Sequence, residues 1–472
     1  MRYVLFSLLI LLIPVQLSAQ KSLLYGKAVD FSTKEISFYT ISDPILNQKS
    51  ELATTTIASD GTFSVLLPIT QTIEIYTDLE KYCGTMVVEP GKNYQITLPP
   101  FSPRTSEEAH SIYFKPAPYW LGLPGTDNSD LNFTVRSFVT DFNLETVRNG
   151  IQIYQQRSKE VVTEIIDRLE KKYSRVDHPY FQILKKYSFA ELESRISQKN
   201  NELIIRKYFA TQPIALTNPG YQKAFETIFT DFLRMQAQDI QNNKIVSITD
   251  SGNYLDLVAY FETRGYTMEF SELVVLKGLY DGYYTGRFSK EGVVRAIGMA
   301  QSATSSPVLQ DVANRIKIKL SHLAVGGKAP SIWLKNLKME QVSLEQFKGK
   351  FVYLTFINSS SADCRAELDL IASLEKRFRE VLNVVSIAVD DDFKAPTELW
   401  KAKKYAWELL DGSNQKLLIS NYNATITPAF YLIAPDGNLR LSQAPSPSHG
   451  FEPIFLKIIR DHNFRRKPSL TF

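Results

Sequence analysis

The sequence predicts an α+β multidomain chain: an N-terminal β-sandwich-like module, a helical middle and a C-terminal α/β domain. Three observations carry this. Short runs of alternating apolar and polar residues, separated by turn dipeptides, fill residues 21–100. Apolar residues then recur at helical spacing within residues 125–323. From 326 to 472, apolar strands alternate with helical stretches, a pattern of a small sheet covered on both faces. A chain of 472 residues is long enough for two to four such parts.

In the first part, "TIEIYT" (Thr72 to Thr77) and "NYQITL" (Asn93 to Leu98) read as strands with one buried face. Asp60-Gly61 and Pro90-Gly91 mark turns between such runs. Regular short strands of this kind predict a small antiparallel sandwich. No histidine cluster or charged constellation occurs there, so a structural or docking module is expected.

In the middle part, Tyr154, Val161, Ile165, Leu169 and Tyr173 lie mostly four apart and predict one buried helix face. Glu164 and Arg168 are one turn apart and can pair. A second helix starts with Ser306 as N-cap and Pro307 at the first helical position. Its predicted stripe is Val308, Val312, Ile316, Leu320 and Leu323, with Gly326-Gly327 as a stop and linker. No fixed repeat period runs through this part. Its many tyrosines and phenylalanines read as core.

Bulk composition excludes some functions. A net charge of +4 over the whole chain gives no basic face for nucleic acid. The one basic cluster, Arg465-Arg466-Lys467, reads as a solvated tail. The N-terminus, "MRYVLFSLLILLIPVQLSAQ", has a basic residue, an apolar core and a small-residue ending at Ser18-Ala19. That is the pattern of a secretory signal peptide over residues 1–20, and it predicts a periplasmic or cell-envelope protein. Pro14 and the short apolar length speak against a retained anchor, which needs ~20 apolar residues. No other long apolar segment occurs, so no transmembrane segment is expected after cleavage. Cys83 and Cys364 are the only cysteines. A bridge between them would need Cα atoms within ~7 Å; both are expected reduced, with Cys83 buried.

The C-terminal part begins with the lead-in "KAPSIWLKNLKMEQVSLEQFKGK" and the strand "FVYLTFI". A helix from about Ser361 to Phe378, the strand "NVVSIAVD" (Asn383 to Asp390) and a helix near Thr397 to Lys404 follow. Then come "PAFYLIA" (Pro428 to Ala434), the turn Pro435-Asp436-Gly437, the strand "NLRLS" and the closing helix "FEPIFLKIIRDH". Between the first strand and helix stands "NSSSADCRAE", Asn358 to Glu367.

This order and these motifs resemble the thioredoxin superfamily, and within it the exported TlpA/ResA-like branch. The likeness spans Gly326 to about His462 and rests on Gly327-Lys328-Ala329-Pro330, "VSLEQFKGKFVYLTF", Cys364-Arg365-Ala366-Glu367, Thr427-Pro428 and "PDG". The whole chain looks like a multidomain layout common among bacterial cell-envelope proteins. The family pattern at the strand end is W-C-x-x-C-R-x-E. Here Ser360 stands at the tryptophan's place, Ser361 at the attacking cysteine's, and Cys364 at the second cysteine's. The resemblance implies a cis bond before Pro428, lying against the site, and a groove at Ser361, Thr427 and Pro428 that takes a protein or peptide partner.

The substitution is chemically decisive. Disulfide exchange begins with thiolate attack and ends with a second thiol resolving the mixed disulfide. A serine hydroxyl at Ser361 cannot attack without a paired base, and His110, His178, His322, His449 and His462 are scattered, so no Ser-His-acid arrangement is expected. The expected function is a redox-degenerate, exported thioredoxin-like protein that binds or scaffolds. The alternative is a thiol-disulfide oxidoreductase working through Cys364, its one catalytic candidate. A peroxidase reading has Ser361 three residues before Cys364, but Ile357 where the peroxiredoxin pattern has proline. Apart from catalysis, Ser359, Ser360, Ser361 and Asp363 start a helix well, with Ser360 and Asp363 approximating a capping box. Asp390-Asp391-Asp392 reads as an exposed acidic turn rather than a weak cation site. No metal-ligand spacing and no glycine-rich phosphate loop is present, so neither metal nor cofactor is expected.

Overall fold

The computed structural model describes residues 21–105, 108, 114–197, 201–237, 244–413, 415–424 and 426–466, the side chains of 463–466 excepted. The signal-peptide segment, His110 and Lys467 lie outside the described residues, as do the side chains of Arg465 and Arg466. The chain divides into two compact units, one ending at Asn314 and the other beginning at Arg315.

Among its described residues the first unit has eight strands: β1 (Lys21–Lys27), β2 (Glu35–Ile41), β3 (Lys49–Thr56), β4 (Thr62–Pro68), β5 (Ile73–Leu79), β6 (Tyr82–Val88), β7 (Asn93–Ile96) and β8 (Ala117–Trp120). They form sheets in the orders β4-β1-β7 and β3-β2-β5-β6-β8. Leu24, Val65 and Tyr94 of the first sheet share a core with Phe38, Ile75 and Met86 of the second, so the module is a sandwich. It is not wholly antiparallel: β1 runs parallel to β7 and β6 parallel to β8. Gly61 turns the chain into β4 with φ of 85°, a backbone region open to glycine.

β4 buries every second residue, as a strand facing solvent on one side should. β5, predicted to behave likewise, does not: Ile73, Glu74 and Ile75 are all buried. The reason is a helical layer on its sheet's other face. The helices of this unit are α1 (Leu131–Arg148), α2 (Lys159–Lys172), α3 (Pro179–Ile196), α4 (Glu202–Tyr208), α5 (Pro219–Phe229), α6 (Phe232–Gln236), α7 (Lys244–Ser251), α8 (Tyr254–Glu262), α9 (Met268–Thr285) and α10 (Lys290–Ala303), with α11 (Pro307–Ser321) crossing the division. Val87 of β6 packs in one cluster with Leu131, Phe138, Ile165 and Phe181. The Asn132 amide accepts from Val87 N at 2.6 Å and donates to Val87 O at 2.9 Å, acting as a strand partner supplied by a helix.

Two helix readings need correction. α2 buries Val162, Ile165 and Leu169, with Tyr173 buried at its C-cap, but Tyr154 is 54% exposed in the separate π-helical turn Ile151–Gln155. Arg168 reaches Glu145 of α1 at 3.6 Å rather than Glu164. In α11 the stripe is Leu309, Val312, Ala313, Ile316 and Leu320, while Val308 is 52% exposed and Leu323 lies beyond the helix, partly buried. The Ser306 hydroxyl donates to Glu269 Oε1 at 2.9 Å.

The second unit opens with the hairpin β9 (Trp333–Lys335) and β10 (Gln341–Ser343). Its central sheet has the order β13-β12-β11-β14-β15, from β11 (Phe351–Ile357), β12 (Leu382–Ala388), β13 (Glu408–Asp411), β14 (Ala429–Ile433) and β15 (Leu439–Ser442). β11 is parallel to β12 and antiparallel to β14. All seven β11 residues are buried because both faces are covered. Phe351, Tyr353 and Ile357 enter one core, and Val352, Leu354 and Phe356 the other. The helices are α12 (Ala362–Phe378), α13 (Lys394–Lys403), α14 (Lys416–Asn421) and α15 (Phe451–Arg466). Gly326 and Gly327 are not a free linker: Gly326 N donates to Leu439 O at 2.7 Å and Leu439 N to Gly327 O at 2.8 Å.

Candidate functional site

β11 delivers the chain into the turn 358–361 and then into α12. The antiparallel register pairs Phe356 with Ala429. One residue further on lies Pro428, level with Ile357 at the same end of the sheet, and its bond to Thr427 is cis. Topology thus brings the 358–361 turn and the 427–428 segment to one pole of the unit. Ser361, Thr427 and Pro428 are all half-buried there.

Every backbone N–H of the turn is committed. Asn358 N donates to Cys364 Sγ at 3.4 Å. Ser359 N donates to both carboxylate oxygens of Asp390, at 3.0 and 3.1 Å. Ser360 N donates to Asn358 Oδ1 at 2.9 Å, and Ser361 N to Asn358 O at 3.1 Å. Ser361 is the N-cap of α12, its hydroxyl accepting from Cys364 N at 3.4 Å. Ser360, expected in the capping box, instead bonds its hydroxyl to Asn358 Oδ1. Arg365 closes the turn from the helix side, donating to Ser359 O at 2.9 Å and Ser360 O at 2.8 Å.

Cys364 is 0% exposed and packs in the core with Leu368, Trp400 and Phe430. Both cysteines are free thiols. Cys83, expected buried, is only half-buried, its sulfur 3.6 Å from the Tyr39 hydroxyl, and burial pushes its thiol above the ordinary value.

Asp390 is the residue the sequence reading misplaced. It is 9% exposed, not part of an exposed acidic turn, and it also accepts from the Ser359 hydroxyl. Burial raises its carboxyl above the usual range, partly offset by the Ser359 hydrogen bonds. Its position just past the end of β12, the strand beside β11, was the available signal. Glu367 was also missed. It is buried one turn past Cys364 and accepts from Ser448 N at 3.1 Å and from the Ser448 hydroxyl. His449 Nδ1 lies 2.8 Å from Ser446 Oγ and 2.9 Å from Ser448 Oγ. A serine, a histidine and an acid do therefore meet, contrary to expectation, but with Ser448 between acid and imidazole. That order does not orient a histidine as general base, and Ser361 is not among its hydrogen-bond partners. Among the described residues no group of His, Cys, Asp and Glu is arranged to hold a metal ion.

The central sheet order, the flanking helices and the cis proline at the site's pole define this unit as thioredoxin-like. Residues 325–442 match the AhpC/TSA family. Similar solved structures include the thioredoxin domain of a thiol-disulfide oxidoreductase from Bacteroides vulgatus, 21% identical over 29% of this chain and 98% of that chain, with a TM-score of 0.27. A thiol:disulfide interchange protein from Bacteroides sp. is 20% identical over 32% of this chain and 97% of that chain, with a TM-score of 0.28. No curated protein matches the chain. No helix among the described residues is long and apolar enough to cross a membrane.

Proposed function

We propose that this is an exported, TlpA/ResA-like protein of the periplasm or cell envelope in which the thioredoxin fold binds or scaffolds rather than exchanging disulfides. Its partner would be an extended protein or peptide segment docked beside Ser361, Thr427 and Pro428. One observation carries the reading: the attacking-cysteine position is held by Ser361, whose hydroxyl caps α12, while the one thiol of the motif is sealed in the core. Exchange needs an accessible thiolate and a second thiol to resolve the product. A hydroxyl supplies neither. Ile426, 60% exposed just before Thr427-Pro428, gives a docked strand an apolar contact at the rim.

The match to AhpC/TSA proteins favours testing a second reading, thiol or peroxide chemistry through Cys364. Insulin reduction and peroxide consumption by the mature chain, by Cys364→Ser and by Ser361→Cys separate the two. The binding reading expects wild type and Cys364→Ser to be equally inactive. It expects Ser361→Cys to form a 361–364 disulfide under mild oxidant and to gain reductase activity. Wild-type turnover that disappears in Cys364→Ser overturns it.

A further inference from the structure

α1 carries two apolar faces, and the first unit uses one. Val135 and Phe138 are buried in one cluster with Ile165 and Phe181. Phe133, Leu144, Val147 and, past the C-cap, Ile151 and Tyr154 are all exposed, Val147 by 78%. Asn149 N donates to Glu145 O at 3.1 Å and Ile153 N to Asn149 O at 2.9 Å, so helical winding carries across the C-cap into the π turn. Ser137 and Thr140 bridge the gap between Phe133 and Leu144. The intervals from Phe133 to Tyr154 then alternate between four and three residues. That alternation holds one seam of a helix against a partner helix. Charges flank the seam without entering it: Asp141 lies one residue past Thr140, and Arg148 one past Val147. A contiguous exposed apolar patch of this kind marks an interaction site.

We propose that this seam takes a second copy of the same chain, the two α1 helices pairing antiparallel across a twofold axis. The seam is complementary to itself in that direction. Its N-terminal half is small and its C-terminal half large, and antiparallel pairing sets one against the other. Leu144 then faces Val147 of the second copy, Thr140 faces Ile151, and Ser137 faces Tyr154. Each of these contacts occurs twice, as a twofold interface requires. Parallel pairing would stack Ser137 on Ser137 and Tyr154 on Tyr154, leaving one end thin and the other crowded. The flanks agree. Antiparallel pairing brings Arg148 to Asp141 of the second copy, on both sides of the axis. Arg148 is exposed in the last turn, with no ion pair among the described residues. Asp141 takes Lys172 Nζ and the Tyr173 hydroxyl, both at 2.5 Å and both through Oδ2, which leaves Oδ1 to accept. Two such stripes bury on the order of 1,000 Å2, near the lower limit for a specific interface, so a micromolar dimer is expected. The interface is independent of the function proposed above, since it uses none of the residues around Ser361.

Sedimentation velocity of the full mature chain over a range of concentrations tests it. A reversible monomer–dimer equilibrium is expected, complete by about 200 μM. Val147→Glu puts a charge at the centre of the seam and is expected to weaken the dimer at least tenfold. Its urea midpoint should stay at the wild-type value, because Val147 is exposed in the monomer. Arg148→Glu is expected to weaken the dimer by about tenfold, more at low salt than at high. Direction is read by crosslinking in a Cys83→Ser background. Thr140→Cys mixed with Ile151→Cys should form an intermolecular disulfide under mild oxidant, and neither should do so alone. A wild-type chain still monomeric at about 200 μM would leave the stripe to a different protein and overturn the proposal. A dimer untouched by Val147→Glu, or one in which each single cysteine variant crosslinks to itself, overturns it equally.

Discussion

Asp390 receives both the backbone N–H and the hydroxyl of Ser359, so a buried carboxylate at the end of one strand holds the turn that follows its neighbour. The turn is therefore fixed by structure, not by any bound partner or disulfide.

Asp390→Ala removes the acceptor and strands two donors of Ser359 in a buried place. An unsatisfied buried donor costs roughly 1–3 kcal/mol. The variant should unfold at lower urea concentration by about that amount. Ser359→Ala, which keeps the N–H bond and loses only the hydroxyl, should cost less than Asp390→Ala. Equal stability of Asp390→Ala and wild type would mean that the carboxylate is not holding the turn.

Ser361 and Ser360 are adjacent serines with different duties, and mutation should tell them apart. Ser361→Ala removes the N-cap of α12 and should cost about 1 kcal/mol. The Ser360 hydroxyl bonds only to Asn358, and the residue itself is exposed. Ser360→Ala should stay within about 0.5 kcal/mol of wild type, as exposed substitutions do. Urea midpoints of the two variants, measured side by side, check the order.

Much of this could be read from residue pattern, and the failures have physical causes. "FVYLTFI" announced a strand buried on both faces because Thr355 alone interrupts its apolar run. β13 went unread because four residues in "WELLD" carry no run long enough to stand out, and only its parallel pairing with β12 defines it. Tyr154 matched the helical period but falls in a π-turn that ends before Ser158 caps α2. Periodicity cannot see that break. At the site, the helix start at Ser361 and Cys364 could be read from the sequence. The burial of Asp390 could not, because three consecutive aspartates look solvated until a neighbouring turn is found to need one of them as an acceptor.

Glu74 makes the first unit sensitive to pH. Burial pushes its carboxyl from 4.5 up to about 7, offset only in part by the Thr85 hydroxyl at 2.6 Å. The folded state therefore keeps a proton that the unfolded chain releases. The sign follows: the stabilisation is complete below pH 4.5, declines as pH rises through about 7, and is gone above it. A shift of that size corresponds to about 3 kcal/mol at most. Urea unfolding followed by a first-unit probe should show stability falling between pH 5 and 7.5. Glu74→Gln, neutral at every pH, should flatten that slope, and a slope unchanged in the variant would assign the titration to another group.

The two thiols should differ in reactivity. Cys364 has no exposed surface, its sulfur accepts from Asn358 N, and it lies within the first turn of α12, its N–H donating to the capping Ser361 hydroxyl. Cys83 lies half-buried in β6, and burial raises its thiol, so it reacts slowly but without unfolding. Timed iodoacetamide labelling of the native protein, read by peptide mass spectrometry, should modify Cys83 first. Cys364 should be labelled only at a rate that tracks denaturant, because its access requires α12 to leave β11. Rapid labelling of Cys364 under native conditions would place an open thiol at the pole beside Pro428, and the chemistry denied to Ser361 would then have to be sought at Cys364.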